Sequence, residues 1–220
     1  MAVSKKEKNA KEKAKRISLK LAELYPDAEC ALVYGDDPWR LLVMARLSAQ
    51  CTDKRVNEVS VPLFNKYPDA VTMAQANLTE LEEIVKPCGL FRTKAKSIVE
   101  MSQSIISEFR GRVPDTMEEL LTLSGVGRKI ANLILGDIYK KPGIVADTHC
   151  IRLAGRFGFV NEGEKNPYKV EVALSKLIDG EEQSDFCHRI VLFGRDVCSA
   201  RSPKCHICPL REECTSKEKK

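Results

Sequence analysis

Apolar residues recur along this chain at steps of three and four. Between residues 95 and 109 the series Ala95, Ile98, Val99, Ser102, Ile105, Ile106 and Phe109 marks the buried stripe of an amphipathic helix, with Gly111 as its stop. Residues 39–50 carry Leu41, Leu42, Val43, Met44, Ala45 and Leu47, apolar nearly all round, which predicts a helix at the centre of the core. The same period predicts helices over 17–25, 56–67, 79–85, 169–178 and 184–197. No run alternates apolar with polar residues and no hairpin turn pairs two such runs, so the expected fold class is all-α.

Short connections punctuate these helices: Tyr67-Pro68-Asp69, Lys86-Pro87-Cys88-Gly89, Val113-Pro114-Asp115 and Lys141-Pro142-Gly143. Neither a low-complexity linker nor a solenoid-length repeat divides the 220 residues. If two lobes exist they are expected to pack intimately, with a cleft where the central helices meet the C-terminal third.

The richest stretch runs from Pro114 to Tyr139. Thr116 with Glu119 three positions later forms a capping box that opens a short helix reaching Leu123. The string Leu123-Ser124-Gly125-Val126-Gly127-Arg128-Lys129 follows, and a second helix continues with Ile130, Leu133, Ile134 and Ile138 on one side. Two helices joined by a turn with glycines two apart make a helix-hairpin-helix. Gly125 and Gly127 leave backbone N–H groups open at a helix N-terminus, where they attract a phosphate oxygen without reading sequence. Lys129 falls in the first turn of that helix. Most lysines are merely solvated, but the dipole there disfavours the ammonium form, and a neutral amine is a nucleophile.

Downstream stands Val145-Ala146-Asp147-Thr148-His149-Cys150. Asp147 is placed to cap a helix over 148–157 closed by Gly158. A carboxylate at the mouth of a cleft also stabilises a developing positive sugar, so capping and catalysis are both open to it.

Composition narrows the class. With 43% apolar, 30% charged and 6% aromatic residues the chain reads as soluble and globular. Its longest stretch without Asp, Glu, Lys or Arg spans ten residues, 70–79, too few to cross a bilayer. The net charge of +5 is concentrated at the start, where Lys5, Lys6, Lys8, Lys11, Lys13, Lys15, Arg16 and Lys20 face only Glu7 and Glu12. Such a start reads as a solvated arm and is a weak pointer to nucleic acid. It has neither the apolar core of a secretory signal nor the Arg- and Ser-rich, acid-poor character of a presequence, so a cytoplasmic protein is expected.

Nine cysteines are an odd number for a disulfide scaffold. Cys30, Cys51, Cys88, Cys150 and Cys187 are scattered, whereas Cys198, Cys205, Cys208 and Cys214 crowd into the pattern C-x6-C-x2-C-x5-C. Four thiolates from one loop enclose a metal centre completely, as in a structural site, and spacing alone leaves zinc and a [4Fe–4S] cluster both open. Arg201, Lys204 and Arg211 would give such a loop the charge to grip phosphates.

Taken in order, Leu-Ser-Gly-Val-Gly-Arg-Lys, then Val-Ala-Asp-Thr-His, then the cysteine pattern closely resemble the endonuclease III family of base-excision repair glycosylases. The likeness runs from about Leu19 to Cys214 and takes in Leu47-Ser48-Ala49-Gln50-Cys51-Thr52-Asp53 and Cys88-Gly89-Leu90-Phe91. The resemblance implies a six-helix barrel lobe over 31–141, with the hairpin at about 116–139. It implies a second lobe, formed by 1–30 and 142–220 around a [4Fe–4S] cluster, and an active-site cleft between the two. By the same likeness Cys198, Cys205, Cys208 and Cys214 are the iron ligands, Lys129 the nucleophile and Asp147 the catalytic carboxylate. Gln50 matches the residue that fills the gap left by an extruded base, and Leu90 an apolar wedge. Gly125, Gly127, Arg128, His149, Arg201 and Lys204 complete the expected DNA contacts.

The partner so implied is double-stranded DNA with damaged bases or abasic sites, bound by a monomer at the nucleoid and without any membrane. The implied reaction is bifunctional: Lys129 displaces the base, oxidised pyrimidines being typical of the family, and the Schiff base drives β-elimination. Two departures bear on the pocket. Ile130 stands where many members have threonine, and Cys150 where an aliphatic residue is usual. A monofunctional adenine or mismatch glycosylase of this fold generally lacks the hairpin lysine; a non-catalytic DNA-binding module would keep the hairpin and arm but form no covalent adduct.

Overall fold

The computed structural model describes residues 5–217. Its helices are α1 (Lys5–Leu24), α2 (Pro38–Leu47), α3 (Asp53–Lys66), α4 (Ala70–Ala74), α5 (Leu78–Val85), α6 (Phe91–Ser107), α7 (Met117–Leu120), α8 (Arg128–Asp137), α9 (Thr148–Arg156), α10 (Pro167–Ser175) and α11 (Gln183–Asp196). No strand occurs among the described residues, in agreement with the expected all-α class, and no helix among them is long and apolar enough to cross a membrane. The helices fall into two compact units. One is Cys30–Tyr139; the other joins the residues up to Glu29 to those from Lys140 onward.

The first of these units is organised around α2. Asp37 caps it by accepting the backbone N–H groups of Trp39 and Arg40 at 2.9 and 3.1 Å, and Pro38 occupies the first turn, where its missing N–H costs nothing. Leu41, Leu42, Val43, Met44 and Leu47 are all buried. They meet Ala95, Ile98, Met101 and Ile105 from α6 in one hydrophobic cluster, and the Trp39 Nε1–H donates to Ser102 Oγ at 3.0 Å inside it. At about 25 cal/mol per Å2 of apolar surface removed from water, each such side chain contributes about 1.5–3 kcal/mol.

The second unit has its own core, in which Ile17 and Leu21 of α1 pack with Leu153, Phe186, Ile190 and Phe193. The Lys-rich start, read as a frayed arm, is helical from Lys5. Lys13 Nζ donates to the Phe157 carbonyl at 2.6 Å, and Arg16 holds both carboxylate oxygens of Glu213 at 2.6 and 3.0 Å. This fork raises the Arg16 pKa and lowers that of Glu213.

Several boundaries differ from the periodic reading. The helix expected over 39–50 stops at Leu47, and the chain turns at 48–50, where Gln50 adopts a left-handed backbone with φ 56°. The stripe expected to end at Gly111 stops at Ser107. Arg110 and Gly111 then turn left-handed, and the Gly111 N–H reaches back to the Ile105 carbonyl at 2.8 Å. The helix expected to reach Leu123 is the single turn of α7, after which the chain bends into the hairpin. On α8 the fully buried positions include Ala131, Ile134 and Leu135, whereas Ile130, Leu133 and Ile138 are half-buried at the rim.

Candidate active site and iron–sulfur loop

The hairpin is built by local chemistry. Thr116 Oγ1 accepts the Glu119 N–H at 3.3 Å and donates to Glu119 Oε2 at 2.8 Å, so the acid secures the cap through the hydroxyl rather than the backbone. Leu123 and Val126 bury on either side of the turn. Gly125 has φ +76°, and a Cβ there would lie 2.5 Å from Arg46 Nε and 2.8 Å from its Cδ. That arginine is fixed by an Nε–H bond to Ser97 Oγ at 2.8 Å. Gly125 is therefore demanded by conformation and by close packing. Gly127 differs: its backbone is extended, at φ −105° and ψ 176°, and nothing lies within 4 Å of the missing Cβ. It caps α8 with no side chain, which leaves the approach to the first helical N–H groups open. Lys129 is exposed in that first turn and Arg128 half-buried beside it.

Asp147 sits at the start of α9, in the other unit. Its Oδ1 accepts the Cys150 N–H at 2.7 Å, and the side chain is half-buried. Behind it the Cys150 thiol lies fully buried and hydrogen-bonded to Cys187, whose sulfur also accepts the Val145 N–H at 3.2 Å. The hydrogen bond to Cys187, together with burial, pushes the Cys150 pKa well up. Cys150 thus packs into the core and shapes the Asp147 turn from behind.

His149 and Arg152 face α11 and the cysteine loop. Arg152 Nη2 lies 3.2 Å from His149 Nδ1 and donates to the Gly194 and Cys198 carbonyls at 3.1 and 3.0 Å. A turn later, Arg156 is buried and donates to the carbonyls of Ser199 and Ala200 at 2.8 and 3.2 Å and to Cys198 Sγ at 3.2 Å. Helix α9 is therefore capped by a carboxylate at its start, and its two arginines, one turn apart, brace the cysteine loop.

Cys198, Cys205, Cys208 and Cys214 line one pocket, walled by Phe157, Phe193 and Val197. No three His, Cys, Asp or Glu side chains among the described residues converge closely enough to hold a single metal ion; the four thiols stand around a space. Burial raises the thiols of Cys198 and Cys208, opposed at Cys198 by the Arg156 guanidinium. Four soft donors around an apolar cavity with adjacent arginine suit an iron–sulfur cluster, whose negative charge the guanidinium offsets. Arg201 and Lys204 are exposed on the rim of the loop.

Gln50 and Leu90 lie in the unit that carries the hairpin. Both are exposed, and both hold left-handed backbones, φ 56° and 47°. Such conformations cost non-glycine residues about 1–3 kcal/mol and cluster at functional sites. Between their turns runs Lys94, which sequence reasoning missed. Its side chain is fully buried, and Nζ donates to the carbonyls of Leu47 and Cys88, each at 2.8 Å. The available signal was a cation four, seven and eleven residues ahead of Ile98, Met101 and Ile105, on the buried stripe itself.

Comparison with known proteins places this geometry. Residues 43–179 match the family of HhH-GPD superfamily base excision DNA repair proteins, and residues 198–214 the iron–sulfur binding domain of endonuclease III. The endonuclease III of Synechocystis sp. is 44% identical over 94% of this chain and 93% of its own length. Solved structures of a non-covalent endonuclease III–DNA complex and of a trapped endonuclease III–DNA covalent intermediate each superpose with a TM-score of 0.87 at 39% identity, covering 93% of this chain and 95% of theirs. The hairpin, the Asp147 turn and the cysteine loop thus fall within a likeness that spans nearly the whole molecule, and the chain belongs to the endonuclease III family: a base-excision DNA glycosylase and abasic-site lyase that carries a [4Fe–4S] cluster.

Proposed function

We propose that the substrate is double-stranded DNA bearing oxidised pyrimidines or abasic sites, and that Lys129 and Asp147 perform the chemistry. A base within a duplex is out of reach, so its nucleotide is rotated out, at a cost of a few kcal/mol that is smallest for a weakly stacked, damaged base. Leu90 wedges the stack and Gln50 fills the vacated place. The Lys129 amine bonds to the sugar C1′ as the base leaves, and Asp147 stabilises the positive charge that develops there; the C1′–O4′ bond then breaks as a proton passes from the nitrogen to O4′, which opens the sugar ring and leaves a protonated imine at C1′. The imine acidifies the C2′ proton; its removal breaks the C3′–oxygen bond and cuts the strand.

Gly125, Gly127 and Arg128 hold the backbone near the lesion, with His149, Arg201 and Lys204 as further contacts. Cys198, Cys205, Cys208 and Cys214 are assigned as the cluster's ligands, and its role is to brace the loop that bears Arg201 and Lys204. The enzyme acts as a monomer on nucleoid DNA in the cytoplasm.

The single observation that carries this reading is Lys129, exposed in the first turn of α8 two residues after an open glycine cap. The relative captured as a covalent DNA intermediate supports the same route. The test is borohydride trapping across duplexes that each contain one defined lesion. Oxidised pyrimidines and abasic sites should give a covalent protein–DNA band that Lys129→Gln abolishes. Equal trapping by Lys129→Gln would overturn the assignment.

A further inference from the structure

Lys94 has no part in the chemistry above, yet it is fully buried in the first turn of α6, where an ionisable side chain is expensive to place. Burial lowers its pKa. What it touches explains its place. The carbonyls it binds end two helical segments: Leu47 is the last residue of α2, and Cys88 closes the 3-10 turn Lys86–Cys88. Each is an orphan acceptor of a helix C-terminus, where a cation is favoured.

Three residues beyond Leu47 comes Gln50, and two beyond Cys88 comes Leu90, both exposed and both with left-handed backbones. The Lys94 N–H also donates to the Leu90 carbonyl at 3.0 Å. One residue therefore grips the Leu90 turn twice and the Gln50 turn once. A second tie joins the same two segments, since the Cys51 and Cys88 thiols are hydrogen-bonded to each other.

We propose that Lys94 is a positioning residue that locks the Gln50 and Leu90 turns into one rigid pair, so that filler and wedge enter a duplex together. The proposal rests on the reading of those two side chains given above. Two separately mobile turns would each have to be ordered at the moment of insertion. A shared buried clamp removes that cost in advance.

The experiment is a double-mutant cycle in the cluster-containing protein. Single-turnover excision from a duplex with one oxidised pyrimidine is compared for wild type, Gln50→Ala, Leu90→Ala, Lys94→Met and Lys94→Met/Leu90→Ala. Thermal melts and cluster absorbance serve as controls. Lys94→Met should slow excision by about 10- to 100-fold, and adding Leu90→Ala should cost little more, because the wedge is already out of place. Near-wild-type excision by Lys94→Met, or losses that multiply in full, would sink the clamp while leaving the wedge reading intact. Wild-type rates for both Gln50→Ala and Leu90→Ala would remove the wedge reading and the clamp with it. Should Lys94→Met fail to fold, amide exchange of the wild type decides: residues 47–52 and 88–94 should open as one unit, and independent opening refutes the clamp.

Discussion

Asp147 Oδ1 accepts the backbone N–H of Cys150 at 2.7 Å, so the carboxylate assigned to the chemistry is also the N-cap of α9. The two duties separate by substitution. Asparagine caps as well as aspartate, whereas alanine forfeits about 1 kcal/mol of helix stability. Asp147→Asn should therefore melt within a degree or two of wild type while excision falls by about 100-fold or more, in line with the loss of one preorganised electrostatic group. Asp147→Ala should lose activity and melting temperature together. Single-turnover rates beside thermal melts read both; full excision by a stable Asp147→Asn would leave the cap as its only role.

The two hairpin glycines should behave in opposite ways. Gly125 combines φ +76° with an Arg46 side chain that a Cβ would strike at 2.5 Å. Alanine there should cost about 1–2 kcal/mol from the left-handed backbone alone, and more as Arg46 is displaced from Ser97. At Gly127 the backbone is extended and the space open, so alanine should leave the denaturant midpoint nearly unchanged but weaken affinity for undamaged duplex, because the methyl group occupies the approach to the α8 N–H groups. Urea titration and DNA binding at fixed salt distinguish the two. Equal destabilisation by both alanines would contradict this division.

How far such features were legible in sequence depends on their range. The stripe of α6 and the all-round apolar face of α2 announce themselves because their packing follows the helical period. Helix α4 does not, because five residues are too few to show a period; only the Asp69–Thr72 capping box marks it. The end of α2 lies short of the periodic reading because apolar spacing does not register the turn at 48–50, where Gln50 is left-handed and where Lys94, 47 residues along the chain, holds the Leu47 carbonyl. Lys94 itself was overlooked because a lysine counts as polar in any pattern of burial. Likewise the packing of Ile17 and Leu21 with Phe186 and Phe193, over 160 residues away in the chain, leaves no trace in local periodicity. The hairpin and the cysteine loop were readable because their chemistry is confined to short strings; that Cys150 and Cys187 meet behind Asp147 was not.

Alkaline pH should destabilise the protein through its buried thiols. Burial pushes Cys30 up to about 12 and, with the neighbouring Cys51, Cys88 up to about 11. A thiol whose pKa is raised by folding adds stability that is complete below the unfolded value of about 8.5 and is lost as pH climbs toward the folded one. Each such group therefore removes up to about 1.4 kcal/mol per pH unit across that window. Urea midpoints at pH 7, 9 and 10 should fall more steeply for wild type than for Cys30→Ala, with the two curves offset but parallel below pH 8. Parallel curves throughout would show that Cys30 ionises as freely in the fold as outside it.

Arg156 supplies the last test, because it joins α9 to the cysteine loop through one guanidinium. Its Nη1 meets Cys198 Sγ at 3.2 Å and the Ser199 carbonyl at 2.8 Å, while Nη2 meets Ala200 at 3.2 Å. Lysine cannot reproduce this fork, since an ammonium presents its donors from a single point. Arg156→Lys would leave at least one of these loop carbonyls without its donor, at about 1 kcal/mol, and would loosen the loop around its thiols. The variant should fold, but it should lose iron to a chelator several-fold faster, with its visible absorbance bleaching in step, because outer partners of metal ligands typically govern affinity by about 10- to 100-fold. Arg201→Ala is the control: this exposed rim residue should retain iron as wild type does while weakening DNA binding in a salt-dependent manner. Wild-type iron retention by Arg156→Lys would mean that the loop is held by its cysteines alone.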